Sequence, residues 1–230
     1  MKTLVHKSLK SFGYDLIKYQ LRLTDFLDDR QIDTVVDVGA NVGQFATMLR
    51  RQQYRGRIIS LEPISAVFEE LHRNAADDPL WTTIHVAAGA VNGTAEIGVS
   101  ELTVYSSMLA TTPAAADFDA KSRVVAQETI QVRRLDELLA DVQGNIFLKI
   151  DTQGFEAQVL EGAGTWMSRV RGMQMELPCV HLYEGVWSMS QALAAAERLG
   201  FSLFQMRPVN MSRTDAMAPI ELDCVFGRPG

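Results

Sequence analysis

The sequence predicts an α/β fold on a doubly wound, mostly parallel sheet, and three observations lead there. First, short aliphatic runs stop at acids or glycines: Val35-Val36-Asp37-Val38-Gly39, Ile58-Ile59-Ser60-Leu61-Glu62 and Ile146-Phe147-Leu148-Lys149-Ile150-Asp151. Such runs suit strands buried on both faces. Second, stretches of helical period alternate with them, as in Phe45, Met48 and Leu49 at i, i+3 and i+4. Third, 230 residues at 47% hydrophobic are enough for one sizeable core, with no repeat or linker to divide it.

Residues 1–10 carry lysines without an apolar run of signal-peptide length and read as a flexible or docking arm. Residues 12–29 place Leu16, Tyr19, Leu23, Phe26 and Leu27 close to one helical face, a helix that covers the sheet edge or a cleft. The expected division is an arm and helix over 1–30 and one catalytic domain over 31–230. Strands are expected at 35–38, 57–61, 81–87, 145–150, 172–177, 201–206 and 220–226, with helices after 44, 64, 154 and 189. Val91-Asn92-Gly93-Thr94 predicts a type I′ turn, hence a hairpin inserted into the β-α-β alternation. Residues 106–127 read as a lid or a surface loop, followed by a strand over 128–133. The result is a Rossmann-like, seven-stranded sheet with helices on both faces and an antiparallel last strand.

The net charge of −6 argues against a nucleic-acid surface, which needs clustered Lys and Arg. Two cysteines, Cys179 and Cys224, are too few for a disulfide framework and point to a reducing, cytoplasmic setting. No run is long and apolar enough for an integral membrane segment.

Asp37-x-Gly39-x-x-x-Gly43 is a glycine turn leading into a helix N-terminus, where free amides face a ligand. The second and third glycines of a dinucleotide fingerprint are missing, as is the Gly-Lys-Ser/Thr of a phosphate loop. An acid in the turn repels a pyrophosphate and suits a cation such as the ammonium of an amino-acid moiety. Here the chain resembles the S-adenosylmethionine motif of class I methyltransferases. Glu62 ends the next strand, where a carboxylate accepts both hydroxyls of a ribose, and Asp151 ends a strand facing the same crevice.

The resemblance then narrows. Asp37-Val-Gly-Ala-Asn-Val-Gly43, Leu61-Glu-Pro63, Leu148-Lys-Ile-Asp151 with Gly154 and Glu156, Leu182-Tyr-Glu-Gly185 and Leu222-Asp223 resemble, in order and spacing, the FkbM-type S-adenosylmethionine-dependent methyltransferases. The family usually has Val-Glu where this chain has Thr152-Gln153. The resemblance implies cofactor contacts from Asp37, Gly39, Asn41, Gly43, Glu62, Pro63, Ala87 and Asp151. It also implies O-methylation of a hydroxyl on a sugar, free or in a glycolipid, or on a polyketide-like metabolite. A small-molecule or glycolipid acceptor is the expected partner, and a homo-oligomer is a candidate assembly. An NAD-dependent oxidoreductase is the weaker rival, since it needs the missing glycines. A non-catalytic scaffold is the non-enzyme alternative.

Methyl transfer from a sulfonium asks for in-line positioning and removal of one proton. Asp151, His181 and Glu176 are the candidates for that removal, His181 because its ordinary pKa lies nearest neutrality. Asp151 and Glu176 are expected to be neighbours. They either share a proton, divide the work of base and anchor, or hold Mg²⁺ as its protein ligands.

Overall fold

The computed structural model describes residues 22–213 and 215–229; the arm at 1–10 and the expected helical positions Leu16 and Tyr19 lie outside them. Helix α1 spans Leu23–Asp29. There follow β1 (Thr34–Val38), α2 (Gln44–Arg51), β2 (Arg57–Glu62), α3 (Ser65–Ala75) and β3 (Trp81–His85). An inserted block comes next: β4 (Ala87–Ala88), β5 (Gly93–Ser100), the short helix α4 (Pro113–Phe118) and β6 (Val124–Arg133). The chain closes with α5 (Leu135–Leu138), β7 (Ile146–Ile150), α6 (Glu156–Ala163), β8 (Val170–Pro178), α7 (Met189–Arg198), β9 (Ser202–Met211) and β10 (Pro219–Gly227).

Seven strands form one sheet in the order β3-β2-β1-β7-β8-β10-β9, and β10 alone runs antiparallel to both its neighbours. Every residue of β1 and β7 is buried, as the aliphatic runs require. The alternation along a strand then divides the core. Val36 and Val38 face a cluster with Leu148, Val159, Leu160 and Ala196, while Val35 faces one with Ala46, Leu49, Leu71 and Phe147. Helices α6 and α7 therefore cover one face and α2 and α3 the other. The strand order reverses between β1 and β7, so the loops leaving their carboxyl ends part and leave a crevice. Among the described residues no helix is long and apolar enough to cross a membrane.

The insertion departs from expectation. A second, three-stranded sheet has the order β4-β6-β5, so β4 and β5 flank β6 and do not form a hairpin with each other. Neither Asn92 nor Gly93 has the positive φ of a type I′ turn. Instead the Asn92 side chain accepts from the Arg134 N–H (2.8 Å) and donates to Glu137 (2.8 Å), a cap on the far end of β6. The segment expected as a lid is folded. Its start bridges Gly98 through Ser107, its helix α4 packs through Ala115 on Leu182, Tyr183 and Ile220, and its last residues extend β6.

Candidate active site

The glycine turn is shaped by close packing. Gly39 has φ +73°, and a Cβ on it would lie 1.9 Å from the Asp151 carbonyl oxygen. Only glycine lets the ends of β1 and β7 meet in this way. The N–H groups of Gly39 and Ala40 both donate to the Leu61 carbonyl at 3.0 Å, tying the turn to β2. Gly43, also at positive φ, serves a different purpose from the expected ligand approach: a Cβ there would sit 2.7 Å from the Trp81 ring. Its missing side chain makes room for Trp81, and it does not line the cleft.

Glu62 is buried where β2 ends. Its two carboxylate oxygens accept from the N–H of Asn41 (2.9 Å) and of Ile64 (3.0 Å), so it braces both turns at once. Burial pushes its pKa up to about 7, against the opposing pull of those two amides and of Lys149. Each oxygen keeps a lone pair for a further donor.

Asp37 does not take the place expected of it. It is fully buried on the α2 face of the sheet, level with Lys149 on β7. The Lys149 Nζ lies 3.0 Å from Asp37 Oδ1, 3.3 Å from Asp151 Oδ2 and 3.0 Å from the Gly39 carbonyl oxygen. The cation that the turn's acid calls for is thus supplied by the chain itself. Burial works against the charge on Lys149, but Asp151 and Asp37 outweigh it and its pKa is raised. Burial raises that of Asp37, partly countered by Lys149. An interior lysine in an otherwise aliphatic strand was the available signal for this pair, since a buried cation needs an acid beside it.

Over the turn lies a partly open cleft of about 70 Å³. Gly39, Asn41, Glu62, Pro63, Ala87 and Asp151 line it. Its apolar wall includes Ile64, Val86, Ile97 and Met108, and the insertion adds Thr103 and Ser106, which sequence reasoning did not assign to the site. Thr103 reaches the turn itself, its hydroxyl accepting from Asn41 Nδ2 at 3.2 Å. Among the described residues no lysine or arginine lines it.

A second, smaller cleft shares Gln153 with the first and is lined by Glu156, Glu176, Glu221, Tyr183 and aliphatic residues. The Glu156 carboxylate accepts from the backbone N–H of Thr152 and of Gly154 and from the Thr152 hydroxyl, each at 3.1 Å, and so shapes the β7–α6 loop. Burial, then the charges of Asp151, Glu221 and Asp223, drive the pKa of Glu176 well above the carboxylate range. Glu221, unforeseen from sequence, is pushed to about 7, chiefly by burial, and accepts from Asn210 at 2.6 Å. Asp151 and Glu176 are brought together, but the carboxamide of Gln153 lies between them, donating to Asp151 Oδ1 (2.8 Å) and Glu176 Oε2 (3.2 Å). A donor group in that position does not fit Mg²⁺, and among the described residues no group of three or more His, Cys, Asp or Glu is arranged to hold a metal. His181 is exposed and lines neither cleft; its carbonyl accepts from the Thr112 hydroxyl (2.8 Å).

The family model described as the methyltransferase FkbM domain matches residues 37–203. The chain belongs to the FkbM family of S-adenosylmethionine-dependent methyltransferases. The match takes in every residue of the first cleft, whereas Glu221 lies beyond it. Among solved structures, this FkbM chain is similar to the methyltransferase FkbM from Methylobacillus flagellatus KT at a TM-score of 0.50 and 16% identity, covering 85% of the chain. It spans 43% of that protein's length. The fibrillarin of Aeropyrum pernix, solved with natively bound S-adenosyl-L-methionine, shows 13% identity over 84% of this chain and 66% of its own, at a TM-score of 0.47. A putative S-adenosylmethionine-dependent methyltransferase from Listeria monocytogenes shows 7% identity over 91% of this chain and 100% of its own, at 0.48. No curated protein sequence matches the chain.

Proposed function

We propose that the chain transfers a methyl group from S-adenosylmethionine, held in the cleft over Gly39, to a hydroxyl of a sugar presented from the side of Gln153. One observation carries this reading: the cleft brings a buried acid, Glu62, and a half-buried one, Asp151, to a single apolar space with no lysine or arginine among its described lining residues. That lining repels a pyrophosphate and accepts a neutral ribose and an adenine, so it fits an adenosyl sulfonium and not a dinucleotide. Glu62 is the residue for the ribose hydroxyls, Asn41, Thr103 and Ser106 are further polar contacts, and Ile64, Val86, Ala87, Ile97 and Met108 are the apolar bed. When bound, S-adenosylmethionine supplies a methyl group already activated on sulfur.

The protein's part is to orient the acceptor and take its proton. Asp151 is the base in this reading, because it is partly open and set on a strand end next to the turn. Lys149 holds one of its oxygens and Gln153 the other. Tyr183, Glu176 and Glu221 make the second cleft rich in hydrogen-bond acceptors, which suits a polyol whose hydroxyls donate, whether the sugar is free or lipid-linked. The test is transfer of radiolabelled methyl from S-adenosylmethionine to a panel of methyl glycosides and, in parallel, to phenols and polyketide-like alcohols. Label on at least one glycoside is expected. Label confined to non-sugar hydroxyls would overturn the acceptor class, and tight NAD binding with no S-adenosylhomocysteine binding would overturn the cofactor.

A further inference from the structure

Gln153 is held more tightly than a loop residue needs. Its backbone is left-handed, φ +52°, a conformation that side chains other than glycine seldom adopt without outside support. The support comes from four directions. Its carboxamide nitrogen donates to Asp151 and to Glu176, its carboxamide oxygen accepts from the Tyr183 hydroxyl at 2.8 Å, and its main-chain carbonyl accepts from the Ser107 hydroxyl at 2.7 Å. An amide has two N–H groups, and here each meets a different carboxylate. A flipped amide would turn its oxygen on both acids and its nitrogen on a hydroxyl, so only one orientation is stable. The acids come from different elements, one at the end of β7 and the other near the end of β8, and Gln153 lines both clefts.

Two acids at such a junction are commonly bridged by a divalent cation, which neutralises both and fixes their directions. Here the carboxamide does the directional part with two neutral donors. We propose that Gln153 is a positioning residue that occupies the place of a metal between Asp151 and Glu176, so that methyl transfer at this site runs without a divalent cation. The inference rests on the assignment of Asp151 as base, but its test does not require a known acceptor.

The test is Gln153→Glu, which keeps the shape of the side chain and replaces the two donors by a third carboxylate. Titration with Mn²⁺, followed by electron paramagnetic resonance, should show no saturable site in the wild type up to about 1 mM and binding at least about tenfold tighter in the variant. Equal Mn²⁺ affinity in the two proteins would overturn the proposal. So would a wild-type Mn²⁺ site that disappears in Asp151→Asn. If Gln153→Glu fails to fold, the wild type decides through the same Asp151→Asn comparison. S-Adenosylhomocysteine binding to the wild type is measured alongside: its absence defeats the functional reading, whereas its presence with an unchanged Mn²⁺ response defeats only this inference.

Discussion

The two clefts meet at Gln153 yet are built on different principles. The first is made by strand ends and backbone: Gly39 against the Asp151 carbonyl, and the Glu62 carboxylate on two main-chain amides. The second is made by side chains from elements far apart in the chain, Glu176 on β8, Glu221 on β10, and Tyr183 in the loop between β8 and α7. A cleft of the first kind is specified by a short motif and tolerates little change at its glycines. One of the second kind depends on the register of an antiparallel strand, in which Glu221 stands beside Pro178.

The largest effect expected is at Gly39. Gly39→Ala places a Cβ 1.9 Å from a carbonyl oxygen that is itself part of the site, at a φ that disfavours alanine. A loss of roughly 3 kcal/mol, about 6 to 12 °C in Tm, together with complete loss of S-adenosylhomocysteine binding, is expected by melting and calorimetry. Normal binding in Gly39→Ala would break the view that the first cleft is a backbone construction.

Next is Asp151→Asn. It should lower kcat by about 10²- to 10⁴-fold on an acceptor found with the glycoside panel, while cofactor affinity stays within about threefold. Glu62→Ala should act the other way. It weakens S-adenosylhomocysteine by about ten- to a hundredfold, the loss of one or two hydrogen bonds to a charged acceptor. If the two variants gave the same pattern, the division of labour along the crevice would fail. The smallest effect belongs to the second cleft's rim. Tyr183→Phe removes the donor to Gln153 Oε1 and should shift acceptor KM by about three- to tenfold, with S-adenosylhomocysteine affinity unchanged by calorimetry.

The same contrast explains what could be read in the sequence. The aliphatic runs, the glycine turn, Glu62 and Asp151 sit within local patterns whose periodicity and strand-end position carry the information. The seven-stranded sheet with its one reversed strand followed from them. Asp37 was misjudged because its partner, Lys149, is 112 residues away and becomes adjacent only through the β1–β7 register. Gly43 was misjudged because a glycine that makes room for Trp81 has the same spacing as one that makes room for a ligand. The Asn92-Gly93 turn failed because Asn92 caps the end of β6, a long-range contact that outweighs the local preference. His181 carried the right chemistry for a base, but nothing local says whether a loop histidine faces the cleft or, as here, the solvent.

The most direct test of the central claim, that the cleft over Gly39 holds an adenosyl cofactor on Glu62, is calorimetric titration of the wild type with S-adenosylhomocysteine at pH 6, 7 and 8. The free protein holds a proton on Glu62 below about 7, and ribose hydroxyls need the carboxylate as acceptor, so binding expels that proton. Affinity should therefore rise about tenfold from pH 6 to pH 8 and flatten above the Glu62 pKa, and Glu62→Gln should bind weakly with no such slope. A wild type that binds equally well across this range, or a Glu62→Gln protein that keeps both affinity and slope, would contradict the account.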